Sequence, residues 1–280
     1  MLEQRCVNCF IKNYNQLFDK FNFHQLQSAD FINYIKKTIN DNEFASSPEI
    51  QTILQKKFCE IVGKKDLYEE EKKQCNEIAL NLYREWAPKV RESENPFKLA
   101  LRLAIAGNIM DYGANNSFNI FKTIEYVLNT EFAIDKSLQL EEKIKKAKKI
   151  LYLGDNAGEI VFDRLFLEII NHKNVYYAVK DAAILNDVTY KDAITSGINK
   201  TAKIISNGFN APSTILSRCS DEFIDIYNSS DLIISKGQGN LEGLVKEKDS
   251  RIFFLLMVKC DVIAEILDVK KNSIVVMNMT

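Results

Sequence analysis

Two kinds of hydrophobic spacing divide the chain. Up to about residue 148, apolar side chains recur with a helical period: Phe31, Ile32, Ile35 and Ile39; Ile78, Leu82 and Trp86; Leu99, Leu103, Ala106 and Ile109. Such spacing lines one face of a helix, and no strand is assigned to this part. Past the charged stretch 141–149 the pattern changes to short apolar runs at 150–153, 175–179, 203–205, 232–235, 253–258 and 274–277. Helical patterns at 160–170, 191–197 and 220–228 lie between them. Alternation of this kind predicts an α/β fold, a Rossmann-like three-layer α/β/α arrangement around a mainly parallel sheet. The expected division is a helical domain over 1–148 and an α/β domain over 149–280.

Composition narrows the class. The 280 residues include 46% hydrophobic and 27% charged positions, enough for one large or two modest domains with a substantial core. With 37 basic residues against 38 acidic ones, the chain lacks the positive excess that phosphate-backbone binding requires, which argues against nucleic acid as a partner. The longest apolar run near the C-terminus, 252–258, is seven residues, whereas a bilayer span takes about 20. Residues 1–10 carry no apolar secretory core. A cytoplasmic protein without membrane contact is therefore expected, with its six cysteines kept as thiols or metal ligands.

In an open α/β sheet, ligands bind beyond the carboxyl ends of the strands, and four of those exits carry concentrated chemistry. The first is Gly154-Asp155-Asn156-Ala157-Gly158-Glu159, where two adjacent oxygen donors stand at a helix start and backbone N–H groups around residues 157–159 can face an anion. The second, Asn186-Asp187-Val188-Thr189, offers a third oxygen through Asp187. The third, Ser235-Lys236-Gly237-Gln238-Gly239-Asn240, combines an ammonium group with two glycines that permit close backbone approach. The fourth is Lys259. Oxygen donors without a central His or Cys suit Mg²⁺ or Mn²⁺ better than a zinc-thiolate site, and the implied chemistry is metal-assisted phosphoryl transfer or hydrolysis. Each fragment alone is more often a helix cap, a plain turn or a solvated strand-end charge; the functional reading comes from their coincidence at one sheet edge.

These residues, together with Asp192-Ala193 and Val258-Lys259-Cys260, resemble the damage-control phosphatases, in matching order and spacing. Cys6-Val7-Asn8-Cys9 and the segment Ala106-Gly107-Asn108-Ile109-Met110-Asp111-Tyr112-Gly113 resemble the branch of that family marked by an N-terminal Cys-x-x-Cys. The resemblance implies a phosphatase, supported by Mn²⁺, Co²⁺, Ni²⁺ or Mg²⁺, that hydrolyses small phosphorylated metabolites such as sugar phosphates. It carries the metal ligands onto Asp155, Asn156 and Asp187, and the phosphate contacts onto the turn from Lys236 to Asn240 and onto Lys259. Ala183 and Ser213 depart from the family's usual proline and glycine, and these departures bear on the loops that choose the substrate.

Other expectations follow from the residues themselves. Glu159 is the candidate for orienting water or a substrate hydroxyl, and Gly158, Gly237, Gly239 and Asn240 for substrate contact. Asn108 and Asp111, three apart on one helix face, can point at the same pocket. Cys6 and Cys9 make half of a tetrahedral zinc site that Cys59 or Cys75 would have to complete; otherwise they are a reduced, packed pair. Cys260 reads as a small buried hydrophobe, and His24 and His172 receive no role. Two other functional classes remain open: a non-catalytic nucleotide or phosphate-binding module, and an adenosylmethionine-dependent methyltransferase, against which the glycine pattern after the first strand speaks.

Overall fold

The computed structural model describes residues 2–43, 45–107 and 117–279, the side chains of 117–121 and 123 excepted. Its helices are α1 (Gln4–Lys20), α2 (Gln25–Asp41), α3 (Ser47–Val62), α4 (Glu69–Arg91), α5 (Pro96–Ala106), α6 (Ser117–Asn129), α7 (Ser137–Lys146), α8 (Glu159–Ile170), α9 (Tyr190–Thr195), α10 (Asp221–Ser229), α11 (Gly237–Leu244) and α12 (Asp261–Ile266). The strands are β1 (Phe132–Asp135), β2 (Ile150–Leu153), β3 (Val175–Val179), β4 (Lys203–Ser206), β5 (Leu232–Lys236), β6 (Ile252–Met257) and β7 (Ile274–Asn278). Among the described residues no helix is long and apolar enough to cross a membrane.

Two compact units emerge, Met1–Leu67 and Tyr68–Thr280. The division thus falls well before residue 148, to which the change of periodicity points. Strand β1 joins the sheet from the segment expected to be wholly helical, and α5 packs on α8 within the same unit. In the first unit, Tyr14, Phe18, Phe31 and Phe58 form an aromatic core, with Phe31 and Phe58 edge to face at 5.2 Å. Helix α3 starts on a capping box between Ser46 and Glu49 and stops at Gly63, whose φ of 70° suits a residue without Cβ.

The second unit is built on a seven-stranded sheet of order β1-β7-β6-β5-β2-β3-β4. All pairings are parallel except β6 with β7. Alternating residues of β2 feed two separate cores: Ile150 and Tyr152 pack with α5 and α8, while Leu151 and Leu153 pack with α10, α11 and α12. Burial on both faces explains why these strands read as continuous apolar runs. Because β2 lies between β5 and β3, the chain direction across the sheet reverses there, and the carboxyl ends of β2 and β5 are where such a sheet forms its ligand-binding crevice.

Candidate functional site

Strand β2 ends at Leu153, and the next residues turn into α8 with no room to spare. A Cβ on Gly154 would meet the Tyr177 hydroxyl at 2.6 Å. Opposite, β5 runs straight into α11 through Gly237, at φ 78°. A Cβ there would fall 1.9 Å from Asp155 Oδ2, so the Asp155 carboxylate occupies the space that a side chain at 237 would fill. Among the described residues no side chain caps the start of α11, and its first-turn N–H groups have no intrahelical acceptor.

Asp155, Asn156 and Asp187 come together. Asn156 and Asp187 form an isolated antiparallel bridge, Val188 N–H donates to Asp155 O at 2.8 Å, and Ala157 N–H donates to Asn186 O at 2.9 Å. Asn156 Nδ2 donates to Asp155 Oδ2 at 2.6 Å and lies 3.4 Å from Glu159 Oε2. Its Oδ1 has no partner among the described residues and stays available as an oxygen donor. Glycine 158, at φ 79°, makes the turn between these donors and α8.

Beneath them lies a buried ionic cluster. Lys236 Nζ donates to Glu159 Oε1 and Asp163 Oδ1, both at 2.5 Å, and to Ala104 O at 2.9 Å. Asp163 also accepts from Tyr152 at 2.7 Å and Tyr177 at 2.8 Å. Burial, reinforced by Asp163, holds both phenols well above their ordinary pKa, so they remain donors. Burial alone would lower Lys236, yet the two carboxylates raise it. Glu159 is pushed up to about 8 by burial against the pull of Lys236, with Asp155 and Asp163 adding to the rise.

The chemistry of the donors indicates what this set accommodates. Among the described residues, buried Asp155, Glu159, Asp163 and Asp187 lie with the buried ammonium groups of Lys180 and Lys236. Among the described residues no three His, Cys, Asp or Glu side chains assemble into a metal cluster. The triad contains only two carboxylates and completes itself with an amide oxygen. An oxygen-only donor set, two carboxylates and one amide beside the Gly237 turn, fits a hard divalent cation.

Several expected contacts take a different form. Lys236 is 0% exposed, and its three N–H donors are matched by three acceptors, so it braces α8 and offers nothing to a phosphate. Asn240 is equally saturated. Its Nδ2 donates to Gly154 O and Lys236 O at 3.2 and 2.8 Å, and its Oδ1 accepts from Lys180 and Thr214 at 3.3 and 2.9 Å. The N–H groups of Ala157 and Gly158 do not face an anion either, since they donate to Asn186 O and to Asn76 Oδ1. Glu159, 0% exposed and bound to Lys236, stands behind Asn156 and does not reach a water-facing position. A Cβ on Gly239 would lie 2.1 Å from Pro212 O, so this glycine accommodates a neighbouring loop. Lys259 follows β6 at the same sheet edge, its N–H donating to Gln238 Oε1 at 3.1 Å.

Cys6 and Cys9 fall on α1, with Cys9 exposed, and among the described residues no third ligand joins them. Cys260 is half-buried and accepts from Gln238 Nε2 at 3.3 Å. Asn108 and Asp111 lie outside the described residues. A family model described as the damage-control phosphatase ARMT1-like domain matches residues 2–275.

The chain belongs to that family.

A damage-control phosphatase of Pyrococcus horikoshii is 40% identical over 191 residues, 67% of this chain and 67% of its own length. Another, from Archaeoglobus fulgidus, is 30% identical over 248 residues, 87% and 84% of the two chains. The crystal structure of a DUF89 family protein from Pyrococcus horikoshii matches with a TM-score of 0.89 at 31% identity, covering 100% of this chain and 99% of that one. In this damage-control phosphatase family member, the residues that sequence reasoning missed are Asp163, Lys180, Asn76 and the two tyrosines. The signal for Asp163 was present: with Glu159 it sets two acids one turn apart in a run that, Arg164 excepted, is otherwise apolar (Ile160, Val161, Phe162, Leu165 and Phe166).

Proposed function

We propose that the protein is a divalent-metal-dependent phosphatase acting on small phosphorylated metabolites, sugar phosphates among them. The observation that carries this reading is the seat of the Asp155 carboxylate against Gly237, which sets the oxygen donors beside the uncapped start of α11. Family membership supports the same reaction class.

Asp155, Asn156 and Asp187 would hold the ion, with Mg²⁺ or Mn²⁺ suited to oxygen donors and the borderline Co²⁺ or Ni²⁺ as alternatives. When bound, the ion supplies charge neutralisation at a phosphoryl oxygen and acidifies an attacking water. The chain's own part is positional. The N–H groups opening α11 attract the phosphate, Lys259 adds positive charge at the rim, and the Lys236 cluster fixes α8 so that Asp155 and Asn156 keep their aim. Glu159 acts through Asn156 and not on water. Water exclusion follows from the depth of the cluster.

The test is hydrolysis of p-nitrophenyl phosphate after EDTA treatment and again after added Mn²⁺. Activity should vanish and return, and Asp187→Ala should lower it about a thousandfold, equivalent to about 4 kcal/mol of barrier, while the protein stays folded. Full activity in EDTA overturns the metal dependence. Phosphate-ester binding without turnover in the Mn²⁺-loaded protein leaves the non-catalytic module as the better reading.

A further inference from the structure

Helix α4 reaches the site at Asn76. Asn76, 7% exposed, accepts the Gly158 N–H through Oδ1 at 2.7 Å and donates from Nδ2 to Asp192 Oδ1 at 3.2 Å. Gly158 closes the turn that carries Asp155 and Asn156. Asp192 sits in the first turn of α9, just after the loop that carries Asp187, and its Oδ2 accepts from Thr189 N–H and Oγ1 at 3.0 and 2.7 Å. On α4, Lys72 stands one turn earlier, its Nζ 3.5 Å from the same Asp192 Oδ2.

Backbone bonds already zip the two loops together near Asn156 and Asp187. They leave the far ends, the starts of α8 and α9, to be spaced by something else. Of the two glycines in the first loop, Gly154 is already held to the sheet by its N–H bond to Ala178 O at 3.0 Å, so a restraint on the N–H of Gly158, at φ 79°, removes the largest remaining degree of freedom there. Asn76 supplies that restraint and ties it to the second loop with its other end. We infer that Asn76 is a positioning residue for the metal site, fixing the spread of Asp155 and Asn156 relative to Asp187. This inference rests on the metal-dependent reading above. Outer partners of this kind typically change metal affinity by 10- to 100-fold when removed.

The test measures Mn²⁺ binding directly, from the free-ion EPR signal, alongside thermal melts. The proteins compared are the full chain, Asn76→Ala, Asn76→Asp and Arg251→Met. Arg251 bonds Asp249 and the carbonyls of Tyr227, Asn228 and Ser230 at the opposite end of the sheet, so its variant reports destabilisation without contact to the site. Asn76→Ala should weaken Mn²⁺ binding at least about tenfold. Asn76→Asp retains the acceptor for Gly158 but sets a carboxylate against Asp192, and should fall between Asn76→Ala and the unaltered chain. Arg251→Met should bind Mn²⁺ normally at a comparable loss of Tm. Asn76→Ala within twofold of the unaltered chain overturns the assignment, as does an equal loss of affinity in Arg251→Met. If Asn76→Ala does not fold, Asn76→Asp decides by the same twofold limit. An unaltered chain that takes up no Mn²⁺ overturns the metal reading itself, a result distinct from either.

Discussion

Two buried lysines flank β2, and their surroundings differ. Lys236 has an acceptor for each of its donors, two of them carboxylates locked by tyrosines or helix geometry. Lys180, 2% exposed, donates one hydrogen bond among the described residues, to Asn240 at 3.3 Å, and lies 3.6 Å from Asp187 Oδ2. The Lys236 side is thus closed in hydrogen bonding, all three of its donors being matched, whereas Lys180 donates a single hydrogen bond among the described residues. The matched cluster holds shape; under the proposed function, the carboxylate beside Lys180 is the one that meets an ion.

The largest effect expected on this contrast is that of Lys236→Met. Leaving Glu159 and Asp163 buried without their cation should cost about 3–5 kcal/mol, read from urea unfolding; a loss below 1 kcal/mol would mean the cluster is not closed. Next, Mn²⁺ at about 100 times its Kd should stabilise the protein by about 2.7 kcal/mol. That gain should disappear in Asp187→Ala, and its persistence there would move the ion elsewhere. Lys180→Met should cost about 1.5–3 kcal/mol, less than Lys236→Met in the same titration; a reversed order would abolish the contrast. Smallest is Tyr177→Phe, which removes one donor from Asp163 for about 1 kcal/mol and should leave Mn²⁺ affinity unchanged.

Five strands were legible because burial on both faces makes them unbroken apolar runs, and β4, exposed to half-buried at the sheet edge, showed through Ile204 and Ile205. Strand β1 was not, since its four residues alternate between half-buried and exposed at the sheet edge, a pattern indistinguishable from a helix end. Asp155, Asn156 and Asp187 were readable from their strand-exit positions, and their convergence followed from the sheet order. Saturation was not readable. Whether Lys236 or Asn240 faces a ligand or is consumed internally depends on acceptors supplied by Ala104, Asp163 and Gly154, which lie far away in sequence. Asn76 and Lys72 were hidden for a related reason: within an amphipathic helix they look like members of the polar face, and only the packing of α4 on α8 turns them inward.

Asn240 has every hydrogen-bonding valence engaged, with the exits of β2 and β5 at one end and Thr214 and Lys180 at the other. Helix α11 is therefore bolted to two strand ends and cannot swing as a gate. Under the proposed function, admission and release of a reactant would fall to the rim segments, with α11 as a fixed floor beneath them.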